Sequence, residues 1–115
     1  MYNVFVYGTL KKGGSNHHFL KDSEFLNNEV LEDHSIYVPD GFSFPLLLED
    51  KGGKVHGEVY KVDDNTLVNL DMLESEGHLY NRIDRNELGF QYYLFNEYNG
   101  WHIDRENDKV ISGKW

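Results

Sequence analysis

The chain has 115 residues, no cysteine, and 11 Lys and Arg against 20 Asp and Glu, for a formal net charge of −9. The absence of cysteine excludes disulfides, thiolate metal sites and a cysteine nucleophile. The acidic balance argues against nucleic acid and anionic membranes as partners, because both demand clustered cations.

With 39% hydrophobic and 15% aromatic residues the chain can build a core at this length, so one domain over residues 1–115 is expected. No apolar run approaches the ~20 residues that span a bilayer. Met1 to Tyr7 enters a strand pattern directly, without the basic and apolar segments of a signal peptide, and a cytoplasmic location is expected.

Tyr2 to Tyr7, rich in Val, Phe and Tyr, predicts a strand that Gly8 ends. Gly13, Gly14 and Ser15 predict a flexible bend, after which Ser15 or Asn16 caps a short helix through Leu20 and Lys21. Val30 to Val38 is a weaker strand. Asp40-Gly41 marks a turn before Phe44, Pro45 to Leu48 is apolar, and Asp50 to Lys54, polar and glycine-containing, predicts a hairpin turn.

Val55 to Val62 alternates in the manner of a half-buried strand. Asp63 and Asp64 then open a helix over 64–74, with Leu67, Leu70, Met72 and Leu73 at roughly helical spacing and Gly77 as its terminator. Tyr80 to Asp84 and Phe90 to Phe95 are further strands. The last twenty residues are polar around Trp101 and Trp115. The sum is an α+β chain: a small curved mixed sheet or barrel flanked by one clear helix and one marginal one.

Two segments carry candidate chemistry. From Val4 to Gly14 a strand runs into a glycine-bearing turn, where backbone N–H groups without ladder partners suit a carboxylate or oxyanion. Taken alone, the segment more readily fits a strand ending in an ordinary turn. In Leu70-Asp71-Met72-Leu73-Glu74, the last carboxylate sits at the negative pole of the helix, with Asp71 on its face and Glu76 nearby. Like charge and burial both raise a carboxyl pKa, as a general base requires. The alternative is a solvated acidic helix end. The six histidines (17, 18, 34, 56, 78 and 102) contain no i, i+4 pair, so no metal site is expected.

The ordered set Val4 to Leu10 with Lys11 to Leu20, Gly57 to Asp63, Leu70 to Glu74, Leu79 to Arg82 and the closing Ile111 to Trp115 resembles the γ-glutamylcyclotransferase-like family, most closely its γ-glutamylamine cyclotransferase branch with bacterial relatives. The resemblance implies a small curved sheet or barrel with helices around one cavity. It implies cleavage of a γ-glutamyl-linked small molecule to 5-oxoproline and a free amine or amino acid, with no cofactor. Glu74 is the implied acid–base residue. Tyr7, Gly8, Thr9 and Leu10 are the implied glutamyl-binding loop, and Tyr60 and Tyr80, in or beside the matching motifs, are the expected aromatic walls. The rival expectation is a protein that captures a small anionic metabolite in the same cavity without turning it over.

Overall fold

The computed structural model describes residues 1–39, 45–96 and 103–110. Six strands form one mixed sheet: β1 (Tyr2–Val6), β2 (Glu24–Tyr37), β3 (Leu46–Val62), β4 (Tyr80–Arg85), β5 (Phe90–Phe95) and β6 (Lys109–Val110), in the order β4-β5-β1-β3-β2-β6. β1 pairs antiparallel with β3 and parallel with β5. Being central, it is apolar on both faces, as a strand covered on both sides must be. Val4 and Val6 enter one cluster with Leu10, Leu20, Leu67 and Leu70; Phe5 enters a second with Leu31, Ile36, Val55 and Tyr92. β1 and β3 lie between β5 and β2 in the sheet, yet Tyr92 Oη of β5 stands 3.1 Å from His34 Nε2 of β2, so the sheet is curled.

The expected strand at the N-terminus, the alternating strand before residue 63 and the helix are all present. The helix α1 spans Asp64–Leu73. Its N-cap is Asp63, whose Oδ1 accepts from the Thr66 N–H at 2.8 Å; such caps are worth about 1 kcal/mol. Leu67 and Leu70 are buried against the sheet, whereas Met72, placed by its spacing on the apolar stripe, is 73% exposed. Among the described residues no helix is long and apolar enough to cross a membrane.

Three expectations need correction. The marginal helix is a 3₁₀ turn, His17–Leu20, and a second 3₁₀ turn, Gly8–Leu10, directly follows β1. The strand at Val30 begins six residues earlier, because Glu24, Phe25 and the polar Asn27 to Glu29 gain ladder partners on β3. The segment Asp50 to Lys54 does not reverse the chain. Glu32 pairs with Lys54 and His34 with Glu49, so Asp33 alone stands against residues 50–53 in a bulge. Asp33 adopts φ 60°, and its Oδ1 accepts from the Gly52 N–H at 3.0 Å. The actual reversal falls between Tyr37 and Leu46, where Asp40 to Phe44 lie outside the described residues. Trp101, His102 and Ile111 to Trp115 also lie outside them.

Candidate active site

The sheet and α1 leave a cavity of about 290 Å³ that opens between the Tyr7–Asn16 loop and the end of the helix. On the loop side it is lined by Tyr7, Thr9, Ser15 and Asn16; on the helix side by Leu73, Glu74, Leu79 and Tyr80, with Pro45 beside them.

The loop is tightly tied, not a flexible bend. Gly8, at φ 65°, turns the chain out of β1 in a conformation that side-chain-bearing residues rarely adopt. Gly8 O accepts from the Lys11 N–H at 3.2 Å, Thr9 O from the Asn16 N–H at 2.9 Å, and Lys11 O from the Gly14 N–H at 2.8 Å. The Asn16 amide also donates to Thr9 Oγ1 at 2.9 Å, and His17 Nδ1 meets Leu10 O at 3.0 Å. Gly14 sits so close beneath Thr9 that a Cβ there would stand 2.2 Å from its carbonyl oxygen. These bonds occupy carbonyls. The first N–H groups of a 3₁₀ turn, here those of Gly8 and Thr9, have no acceptor within the turn.

Glu74 caps α1. Its N–H still bonds Leu70 O at 2.9 Å, and the chain then leaves the helix through Ser75, which takes φ 49°. The Ser75 N–H reaches Met72 O at 3.2 Å and the Glu76 N–H reaches Asp71 O at 2.9 Å, the bond pair of a Schellman ending. The helix therefore stops two residues before Gly77, on a serine in the left-handed region. That ending turns Glu74 toward the cavity, while the Glu76 carboxylate accepts from the Arg82 N–H at 3.3 Å. Burial against Leu73, Leu79 and the tyrosines raises the Glu74 carboxyl to about 7.

The tyrosines around it are committed donors. Tyr7 Oη donates to Tyr93 O at 2.6 Å and Tyr80 Oη to Pro45 O at 2.7 Å. Burial, with the Glu74 charge adding to it, pushes both phenols above their ordinary range.

Of the expected site residues, Glu74, Tyr7, Thr9 and Tyr80 share the cavity. Gly8 and Leu10 lie behind it, Leu10 within the core at 3% exposure. Tyr60 does not line it. Its ring lies edge-on to His17 and Phe25, and its hydroxyl donates to Glu58 Oε1 at 3.1 Å. Burial and the Glu58 charge push that phenol up to about 12. Tyr60 thus borders a separate groove with Lys12 and Lys21. Ser15, Asn16, Pro45, Leu73 and Leu79 were not singled out as site residues in the sequence; the helix-cap pattern at Ser15 and Asn16 was the one local signal that this stretch is ordered.

The described lining of the cavity in this curled sheet thus carries one carboxylic acid, Glu74, facing Tyr7, Thr9 and Tyr80. Residues 4–115 match the family model described as gamma-glutamyl cyclotransferase, AIG2-like, and the chain belongs to that family. It is 40% identical over 113 residues to a Vibrio cholerae protein that carries a provisional gamma-glutamylcyclotransferase name, covering 97% of this chain and 93% of that one. It is 43% identical over 88 residues to gamma-glutamylaminecyclotransferase A of Danio rerio, spanning 70% of this chain and 55% of the fish protein. The crystal structure of an uncharacterised protein from Pyrococcus horikoshii superposes with a TM-score of 0.78 at 27% identity, over 99% of this chain and 89% of that one.

Proposed function

We propose that this chain is a γ-glutamylamine-type cyclotransferase with Glu74 as its general acid–base. The observation that carries the reading is a half-buried carboxyl raised to about 7 in the cavity that the Tyr7–Asn16 loop also lines. A base is most useful when its pKa lies near the working pH.

The substrate's α-ammonium gives a proton to the Glu74 carboxylate. The freed nitrogen attacks the substrate's own γ-carbonyl, and the five-membered ring closes as the new C–N bond forms. The bond to the leaving nitrogen then breaks as Glu74 returns the proton to it; the ring nitrogen gives up its second proton, which the departing amine takes as it leaves as an ammonium, and 5-oxoproline is released. Because the step is intramolecular, holding the chain in a closing conformation supplies much of the acceleration. The Thr9 amide, on a residue that lines the cavity, suits the glutamyl α-carboxylate or the developing oxyanion. No step calls for a metal or an organic cofactor.

The leaving group is read from the cavity wall. Its described lining contains no Lys or Arg to pair with a second carboxylate, and Pro45, Leu73 and Leu79 make it partly apolar. That favours an amine over an amino acid as the departing half. The test is 5-oxoproline release across γ-glutamylamines, γ-glutamyl amino acids and glutathione. γ-Glutamylamines are expected to turn over fastest. Binding without release from any of them would overturn the enzyme reading in favour of metabolite capture.

A further inference from the structure

The helix that carries Glu74 is short, and only two of its leucines, Leu67 and Leu70, are buried. A helix of this length has little stability or fixed orientation of its own. Leu73 adds only a partly buried contact, and a rotation of the helix about its axis would swing the Glu74 carboxyl out of the cavity. The nearest polar tie lies one turn before it. Tyr93 of β5, 2% exposed, donates its hydroxyl to Asp71 Oδ1 at 2.6 Å. The Arg82 Nε of β4 stands 3.2 Å from the same oxygen as an ion pair, but without the alignment of a hydrogen bond. Arg82 Nη1 donates instead to Gln91 Oε1 at 3.2 Å. The backbone carbonyl of Tyr93 accepts from Tyr7 Oη at 2.6 Å. One residue therefore bonds both the loop wall of the cavity and the helix wall.

We propose that Tyr93 is a positioning residue: through Asp71 it fixes the last turn of α1 so that the Glu74 carboxyl stays within the cavity, in register with Tyr7. Burial and the neighbouring Asp71 keep the Tyr93 phenol protonated, so it donates throughout the working pH range. Asp71 and Arg82 are the charged groups at this tie, and Tyr7 and Tyr80 are the other ionisable groups that line the cavity beside Glu74. The proposal rests on Glu74 being the acid–base group.

The test compares Tyr93→Phe, Asp71→Ala and Asp71→Asn by turnover of a γ-glutamylamine and by carbon-13 NMR titration of Glu74 in the ligand-free protein. The Glu74 signal is assigned by its loss in Glu74→Gln. Tyr93→Phe and Asp71→Ala should lower kcat about 10-fold or more, with KM changed by less than about 3-fold, since misplacing a reacting group costs rate more than affinity. The Glu74 midpoint should fall from about 7 toward the ordinary carboxylate range as water reaches it. Asp71→Asn retains an acceptor for the Tyr93 hydroxyl and should recover most of what Asp71→Ala loses. If Tyr93→Phe does not fold, the two Asp71 variants decide the matter. Variants that melt earlier while kcat and the Glu74 midpoint stay at wild-type values would overturn the proposal. So would an Asp71→Asn indistinguishable from Asp71→Ala, which would assign the tie to Arg82. A wild type that releases no 5-oxoproline sinks the cyclotransferase reading alone; the titration still decides the role of Tyr93.

Discussion

The Tyr7–Asn16 loop and the last turn of α1 border one cavity, yet they are assembled differently. The loop contributes backbone: its shape is fixed by hydrogen bonds among Gly8, Thr9, Lys11, Gly14 and Asn16, and two of its glycines are irreplaceable for steric reasons. The helix end contributes one ionisable side chain, Glu74, whose character is set by what surrounds it. Substitutions on the helix side should therefore change chemistry at constant shape, and substitutions on the loop side should change shape at constant chemistry.

The largest effect is expected at Glu74. Glu74→Gln keeps the size and hydrogen-bonding reach of the side chain but cannot take a proton. The rate of 5-oxoproline formation should fall by ~100-fold or more while ligand affinity largely survives. Activity retained in this variant would remove Glu74 from the mechanism. The same variant reports on stability. A carboxyl raised in the folded state favours folding in its neutral form, an advantage fully present below the unfolded pKa of ~4.3 and lost as pH rises through about 7. Gln stays neutral, so Glu74→Gln should gain stability over wild type between pH ~4 and ~8, by on the order of 1 kcal/mol given the cavity's access to water. Wild-type activity, in contrast, should rise along a limb centred near 7.

The loop should respond in the opposite sense. Gly14→Ala would press a methyl against Thr9 O, and Gly8→Val would force a branched side chain to φ 65°. Each should weaken ligand binding by about 10-fold or more, at a cost of roughly 1–3 kcal/mol in strain. Thr9→Ala removes only the acceptor of the Asn16 amide and should be mild, within about 1 kcal/mol. Calorimetric titration with 5-oxoproline reads the three together. If the two glycine variants bind as wild type does, the loop is not the glutamyl-binding wall.

This division also explains what was legible in the sequence. Strand alternation at 55–62, the Leu67/Leu70 spacing and the Asp63 cap are local signals, and they specified β3's second half and α1 correctly. Glu74 stood out because a carboxylate at that helix pole is anomalous. The bulge at residues 50–53 was not legible, because a polar glycine-containing run looks the same whether it reverses a strand or bows out of one; pairing with residues 32 and 34 decides it. β6, at two residues, is too short to carry a period. Tyr60 was assigned to the site through its motif, but the ring is enclosed by His17 and Phe25, and alternation alone does not say what covers a strand face. Asp71 was recognised only as a like charge beside Glu74. Its partners, Tyr93 and Arg82, come from strands 11 or more residues away and are invisible to any helical window.

The smallest expected effect lies where the helix ends. Ser75 holds φ 49°, a conformation in which its Cβ crowds the neighbouring carbonyl, while Gly77 two residues on has the residue type but not the position for the helix cap. Ser75→Gly removes that crowding and leaves both Schellman bonds, which are made by backbone N–H groups, in place. Part of the gain is cancelled because glycine adds freedom to the unfolded chain. The net stabilisation should be about 0.5–1 kcal/mol, or a rise in Tm of about 2–4 °C for a domain of this size. Since the backbone path past Glu74 is unchanged, the Glu74 titration midpoint should stay near 7 even as Tm rises. A midpoint that falls on Ser75→Gly would mean that the serine, and not the packing around the carboxyl, keeps Glu74 in its raised state.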